Sequence, residues 1–455
     1  MKNISKRQWV KFAIASALYI SFAIWMRNLW LLAGLIVLAD IFLTKYIPWG
    51  AWKRTKNSSL RTTLDWVEDI VFALIAVYFI NLFFFQNYQI PSSSLEKSLL
   101  VGDYLFVSKL SYGPRVPNTP ISFPLVQNTL PLINTNSYIE WPRWGYKRVA
   151  GLGKVKRNDI VVFNFPAGDT IALRQQNPDY YTLVSTFGRE YIHLNREQFG
   201  PVMYRPVDKR ECYVKRCIGM PGDTLSVRNN QVYINGDPAE NPENMQHNYY
   251  VETDGSPLTE EQFRLLDISR EDRSLANPEL YAYLGFPSDA ARVYHFPLTQ
   301  KSLRIIEKLP IVKKVVIEPD INGGTTYPVD YNTGWTRDNY GPLWIPSKGA
   351  TIPLTTENIA LYRRCIRNYE NNTLEEQDGR IYVNGRETTT YTFRYDYYFM
   401  MGDNRHNSAD SRSWGFVPED HIVGKPILVW LSLDKDRKLF DGGIRWKRLF
   451  HMVHK

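Results

Sequence analysis

The sequence predicts a mainly β protein, an antiparallel β core with an inserted second β-rich lobe, preceded by transmembrane helices. Three observations carry this expectation. Three apolar runs crowd into the first 86 of 455 residues, short β-rich runs broken by Gly, Pro, Asn and Asp fill most of the remainder, and the interval 241–375 is more polar and richer in Pro and Asn than its flanks. With 44% hydrophobic and 14% aromatic residues the chain can build more than one core, which excludes a disordered or low-complexity protein.

The membrane region comes first. Residues 10–26 are apolar, and 29–44 are apolar apart from Asp40. Each run is a little short of the roughly 20 residues that a span needs. Trp9, Trp30, Tyr46 and Trp49 extend them as interfacial anchors. The third run, 66–85, carries Glu68 and Asp69 only in its first turn. Spans are therefore expected at about 9–26, 29–48 and 66–86. Lys2, Lys6 and Arg7 precede the first run, and Lys45, Lys53, Arg54, Lys56 and Arg61 separate the second from the third, while only Arg27 lies between the first two. The positive-inside rule then puts the amino terminus in the cytoplasm and everything after residue 86 on the outer side of the cell membrane. A cleaved signal peptide is the rival reading of the first run, but no small-residue cleavage site precedes a polar start. Asp40 is expected near the cytoplasmic interface or satisfied within the helix hairpin.

Much of the net charge of +9 is accounted for by this topology, and more lies in the tail 433–455, where "IRWKRLFHMVHK" reads as a basic amphipathic end. That tail is read either as a solvated helix or as a lipid-surface contact. Membrane lipid is thus an expected partner, nucleic acid is not, and a monomer is expected. The seven histidines are scattered, His451 and His454 in the tail among them, and no Cys or His spacing suggests a metal, so no metal or cofactor is expected. Cys212, Cys217 and Cys365 lie in a compartment that permits disulfides, with their pairing open.

The part after residue 86 contains "DYLFVSKL", "DIVVFNF", "ECYVKRCIGM", "TLSVRNNQVYING", "GRIYVNG", "YTFRYDYYFMMG" and "KPILVWLSL", a texture of antiparallel strands. "VRNNQVYING" and "EEQDGRIYVNG" look like two hairpins, and Lys215-Arg216-Cys217-Ile218 and Arg363-Arg364-Cys365-Ile366 precede them at similar distances, an echo that is either chance or an internal duplication. The core is expected over 87–240 and 376–432, the second lobe over 241–375, with one helix-like piece, "TEEQFRLLDISREDRSLANPEL".

Three islands could carry chemistry. "QIPSSSLEKSLL" places three hydroxyls just past the last apolar run. Serine is a weak nucleophile without a base, no His-Asp pattern lies nearby, and the available base is lysine. A lysine serves only when neutral, which asks burial to lower its pKa by about three units, at a cost of around 4 kcal/mol. Lys215, on the strand-like run "CYVKRCIGMPGD" with Tyr213 and Cys217 on the same face, fits that description. Lys97 competes, because Ser94-Leu95-Glu96-Lys97 has the Ser-x-x-Lys spacing of penicillin-interacting enzymes, although the companion Ser-Asp-Asn and Lys-Thr-Gly elements are absent from the chain. The third island, "MGDNRHNSADSRSWGFVPEDHIVGK", has the composition of a loop knitted by its own hydrogen bonds, with Asp410 and Arg412 suggesting an ion pair. A membrane-anchored β domain that binds exported chains without cutting them is the reading from a different class.

Four stretches in order, "IPSSSLEKSLLVGDYLFVSKLSYG", "KRNDIVVFNFP", "YVKRCIGMPGD" and "GDNRHNSADSRSWGFVP", resemble the sequence boxes of bacterial type I signal peptidases, the membrane-bound Ser-Lys leader peptidases. The resemblance implies a β-rich catalytic core with a second β lobe, a serine endopeptidase activity on the signal peptides of preproteins, and a preference for small side chains at the first and third positions before the cut. It implies Ser94 as nucleophile and Lys215 as general base. Ser92 would donate to the oxyanion beside the Ser94 N–H, Ser408 would orient the lysine amine, and Asp403 with Arg216 and Asp410 with Arg412 would be structural ion pairs. The chain departs from the pattern at Leu95, where Met is usual, at Lys97, where Pro is usual, and at Ser93, where Gly is common.

Overall fold

The computed structural model describes residues 4–453 except 132, 134, 321–323, 435, 436 and 438–441; Lys2 and His454 lie outside the described residues, as does the side chain of Arg54. The chain divides into two compact units, 1–86 with 108–154, and 87–107 with 155–455.

In the first unit, helix α1 (Lys6–Trp25) begins at a capping box in which Ser5 and Gln8 satisfy each other's backbone N–H groups. Helix α2 (Ser58–Phe83) starts where the Asn57 side chain accepts from Leu60 N–H at 3.1 Å. Both are long and apolar enough to cross a membrane. The second expected span is different. Residues Leu29–Thr44 form a 3₁₀ turn (Leu29–Ala33), a short α-helix (Gly34–Ala39) and a π-helical turn (Asp40–Thr44), so two of the three expected spans are continuous helices of full length. The cause is local. Asn28 caps the opening turn, and the Asp40 carboxylate gathers the chain that follows, accepting from Thr44 Oγ1 (2.5 Å), Tyr46 N (2.8 Å), Ile47 N (3.1 Å) and Trp49 Nε1 (2.9 Å). Asp40 is thus satisfied within the hairpin. The run folds back along α1, where Tyr19 donates its hydroxyl to Leu31 O at 2.8 Å and lies so near Gly34 that a Cβ there would overlap it.

Residues 108–154 were expected in the β core but join the helices instead. Val116 and Val149 bury themselves against Met26 and Phe83, with Phe22, Trp25 and Leu82 around them. Trp25 Nε1 donates to Ala150 O at 2.9 Å, and Lys147 Nζ to Arg27 O at 3.2 Å. The segment covers the apolar ends of the two helices while leaving Phe123, Trp141 and Leu152 exposed.

The second unit is built on an eight-stranded sheet of β1 (Phe85–Gln89), β2 (Asp103–Ser108), β3 (Ile160–Asn164), β4 (Cys212–Gly219), β5 (Tyr397–Met401), β6 (Val417–Pro418), β7 (Ile422–Ser432) and β8 (His451–Met452). Its order is β1-β2-β7-β3-β4-β5-β6, with β8 on β7, and the joins from β7 to β6 are antiparallel. Ile90, Leu95, Leu99, Leu105, Val107 and Val162 form one core on this sheet. A second core joins Ile218, Leu225 and Val232 to Tyr340, Tyr362, Tyr397 and Phe416, so residues 340–369, expected in the inserted lobe, pack with the hairpin 224–234. The self-contained lobe is narrower: strands Gln246–Thr253, Arg292–Thr299 and Val312–Ile317, with Ser274–Leu275 at the edge, sit over Phe263, Leu266, Phe296 and Ile306.

The helix-like piece keeps only one helix, Glu260–Leu265, and a 3₁₀ turn at Pro278–Leu280, because Asp267 turns left-handed (φ +55°) and ends the first. Both expected hairpins form, through Asn229-Asn230 and Asp378-Gly379, all with positive φ as two-residue turns require. The echo before them has no shared structure: Lys215-Arg216-Cys217-Ile218 is strand, whereas Arg363 to Ile366 run from an α-helix into a π turn. None of the three cysteines is bridged to another. Among its described residues the tail forms no solvated helix and is tied to the sheet instead. Arg448 grips Asp103 at 2.5 and 3.0 Å, Arg445 donates to Val101 O at 2.8 Å, and β8 adds to β7.

Candidate active site

The serine turn is fixed at both ends. Ile90, buried, exchanges backbone bonds with Asp103 O (2.9 Å) and Gly102 N (3.0 Å), so the chain leaves β1 at a set point. Ser92 is extended and exposed, and Ser93–Leu95 make a single 3₁₀ turn closed by Glu96 N to Ser93 O at 2.9 Å. Leu95 and Leu99 sink into the core and hold Ser94, itself buried, against β4. The Glu96 carboxyl that follows is pushed up to about 7, first by burial.

Lys215 sits mid-strand on β4 opposite Val161. It is 5% exposed, and Nζ donates to Ser94 Oγ at 2.5 Å. Its amine also lies 5.9 Å from the centre of the Tyr213 ring, which stacks on Phe165 at 4.4 Å and meets the edge of Trp414 at 5.6 Å. Burial pushes the amine down to about 8, while Asp410 and Asp403 pull against it and Arg412 adds to the depression. At neutral pH about a tenth of the molecules then carry an unprotonated lysine, against fewer than about one in a thousand for a free one.

The loop after β5 supports both groups. Arg216, next to Lys215 but on the opposite face, grips Asp403 with two bonds of 2.7 Å, and Ser98 Oγ adds a third to the same carboxylate at 2.6 Å. Asp410 is held by Arg412 at 2.9 and 2.8 Å and accepts from Gly402 N at 3.1 Å, and Arg412 reaches on to Arg405 O at 2.7 Å. A Cβ on Gly402 would overlap both Ser408 Oγ and the Ser94 carbonyl, so any side chain here would have to displace one of them. Ser408 therefore flanks the turn, but among the described residues its hydroxyl bonds to Ala409 O at 3.4 Å and not to Lys215. Its rotamer points along its own loop.

Lys97 is not brought to Ser94. The turn ends at Leu95, two residues earlier, Lys97 is left-handed (φ +73°), and its amine pairs with Asp267 at 2.9 Å. The sequence reading passed over Asn404, whose N–H donates to Ser94 O at 3.1 Å and whose amide donates to Ser93 O at 3.3 Å. It lay in view inside "GDNRHN". Ser98 and Asn244, which lies 3.5 Å from Ser98 Oγ, carried no signal. Among the described residues no group of three His, Cys, Asp or Glu side chains is placed to hold a metal ion.

A family model described as signal peptidase, peptidase S26, matches residues 63–281 and 364–431, more than half of the chain and every residue of the site above. The chain belongs to the signal peptidase family. Among its relatives, a signal peptidase I of Buchnera aphidicola subsp. Baizongia pistaciae is 23% identical over 439 residues, 96% of each chain. That of Haemophilus influenzae is 23% identical over 401 residues, 88% of this chain and 79% of the relative. A signal peptidase I of Aquifex aeolicus is 61% identical, but over only 36 residues. The signal peptidase described here is thus a type I enzyme, a serine endopeptidase, with low overall identity to these relatives.

Proposed function

We propose that this signal peptidase removes signal peptides from exported preproteins at the outer face of the cell membrane, with Ser94 as nucleophile and neutral Lys215 as its base. The observation that carries the reading is the 2.5 Å contact between Lys215 Nζ and Ser94 Oγ, made by an amine that burial has already brought down to about 8. In the attacking complex the amine takes the serine proton as Oγ bonds to the scissile carbonyl carbon. The tetrahedral oxyanion is received by the Ser94 N–H, which lies in the first turn of its helix and has no partner within it, and by the Ser92 hydroxyl two residues ahead. Lys215 then returns the proton to the leaving amine, which yields an acyl-enzyme, and next deprotonates the water that releases the signal peptide. The arginine pairs with Asp403 and Asp410 hold the frame, and Ser408, which flanks the turn, is the hydroxyl that would orient the lysine amine.

The same reading places the amino terminus in the cytoplasm. Leu29–Thr44 is short, yet it runs back along α1, so the chain returns to its starting side before the basic stretch 45–61 and α2 makes the last crossing. The nucleophile follows the end of α2 at Phe83 by eleven residues (94 − 83), which suits a substrate whose scissile bond lies just past its own apolar run. Exposed Trp141 and Trp144, in the segment that covers the helix ends, are suited to the lipid headgroup layer of that leaflet. The enzyme works as a monomer.

Cleavage of a purified preprotein in detergent tests the chemistry. Ser94→Ala and Lys215→Ala each abolish cutting while the fold, followed by circular dichroism, persists; full cleavage by either variant removes that residue from its role. Retained binding of preprotein by an uncleaving wild-type protein would favour a binding domain instead.

A further inference from the structure

The lobe of strands 246–317 has its own core, yet it sends one acidic residue to the serine turn. Lys97, three residues after Ser94, is held in the left-handed region at φ +73°, a conformation that a non-glycine residue keeps only when its surroundings impose it. Its side chain is 13% exposed and ends at Asp267, with Nζ 2.9 Å from Oδ2 and donating also to the Asp267 carbonyl. Asp267 is left-handed as well, at φ +55°, where its N–H caps the helix Glu260–Leu265 through Arg264 O at 3.1 Å. Its neighbour Leu266 lies in the lobe core and accepts from Ser302 Oγ at 2.9 Å. The anchor is therefore rigid. On the other side of Lys97, Ser98 is bonded to Asp403, and Asn244 donates to the Lys97 carbonyl at 3.4 Å.

We propose that Lys97 and Asp267 are positioning residues: through this ion pair the lobe imposes the backbone of residues 93–98 and so keeps Ser94 Oγ on Lys215. The inference rests on the reading of Ser94 as nucleophile. The pair adds little to global stability, because the Asp267 carboxylate is largely in water. Its effect is geometric. Without the tether Lys97 relaxes out of the left-handed region, the single turn bearing Ser94 loses its downstream support, and a displacement of about 1 Å at a nucleophile can cost up to about 100-fold in rate. The lobe thereby has a part in the chemistry although it contributes no reacting atom.

The test uses the full-length enzyme in detergent and a fluorogenic peptide spanning a signal-peptide cleavage site. Asp267→Ala and Lys97→Met are each expected to lower kcat about tenfold with KM within about twofold, and the double variant to lose no more than either single one, as two ends of one interaction should. The charge-exchanged pair Lys97→Asp with Asp267→Lys recovers part of the loss. Hydrogen exchange of the peptide covering residues 90–100 speeds up in Asp267→Ala while peptides from the lobe core stay protected. Single variants within twofold of wild type, or losses that multiply in the double variant, overturn the tether. Ser94→Ala serves as the separate control: if it still cleaves, the nucleophile assignment fails, whereas if it is dead and the Asp267 and Lys97 variants are fully active with unchanged exchange, only the tether fails.

Discussion

Asn404 holds the carbonyls of Ser94 and Ser93 with its backbone N–H at 3.1 Å and its side-chain amide at 3.3 Å. The loop that carries both arginine-paired aspartates is thereby stitched directly onto the Ser93–Leu95 turn, and Lys215 on β4 meets a serine whose backbone is held from the far side.

Asn404→Ala removes the side-chain half of this stitch and leaves the Ser93 carbonyl with the Glu96 N–H alone. Losing one hydrogen bond of this kind costs about 0.5–1.5 kcal/mol. Thermal unfolding should register a loss in that range, and kcat in a peptide assay should fall by about tenfold or more, since the movement occurs beside Ser94. An unaltered kcat would detach this loop from the chemistry.

The protonation of Lys215 sets two pH profiles. In the proposed mechanism only the neutral amine accepts the serine proton, so kcat/KM in the free enzyme should rise with pH and reach half its plateau near the value of about 8. Stability follows the same group. Between about 8 and the ordinary 10.5 the unfolded chain holds a proton that the folded chain has lost, so the contribution of this residue to stability rises with pH across that window. Below it the buried charge costs about 3 kcal/mol, from the difference 10.5 − 8. Lys215→Met should accordingly be more stable than wild type at pH 7, with the gap closing toward pH 10.5; a gap that stays constant with pH would contradict the lowered value.

The Arg216–Asp403 pair is buried on both sides, at 3% and 0% side-chain exposure. Asp403→Ala strands the guanidinium in the core, a change that typically costs about 3–5 kcal/mol. A fall in thermal midpoint should accompany it, together with loss of cleavage, and a stable, active variant would show that the pair is dispensable.

Gly402→Ala introduces one carbon between Ser408 Oγ and the Ser94 carbonyl. Overpacking of this kind costs about 1–3 kcal/mol, and here the relief can come only by moving the serine turn or Ser408. Activity should therefore fall far more than stability does, which kcat and thermal midpoint measured on one preparation will separate.

The strands and both hairpins were legible in the sequence because each rests on local pattern, alternating runs and Asn and Asp-Gly turns, whereas Ser94 and Lys215, 121 residues apart, were linked only through the resemblance to signal peptidases. What escaped was long-range. No spacing tells that Val116 and Val149 cover the helix ends rather than the sheet, or that residues 340–369 complete a core begun by Ile218 and Leu225. That the middle apolar run is not one regular helix was also hidden, because hydropathy counts Asp40 as one polar residue and does not see the four donors that it gathers. Lys97 misled in the opposite sense, since a helical Ser-x-x-Lys spacing has meaning only if the turn continues, and here it does not.

The three thiols remain unbridged, with Cys217 and Cys365 wholly enclosed and their ionisation suppressed by that enclosure. The part of the chain after residue 86 therefore needs no oxidoreductase to reach its working form, and its cysteines offer dithiothreitol no bridge to open. An enzyme that must be ready before the proteins it matures can depend on covalent crosslinks that other factors would first have to install, or it can dispense with them; this chain dispenses with them.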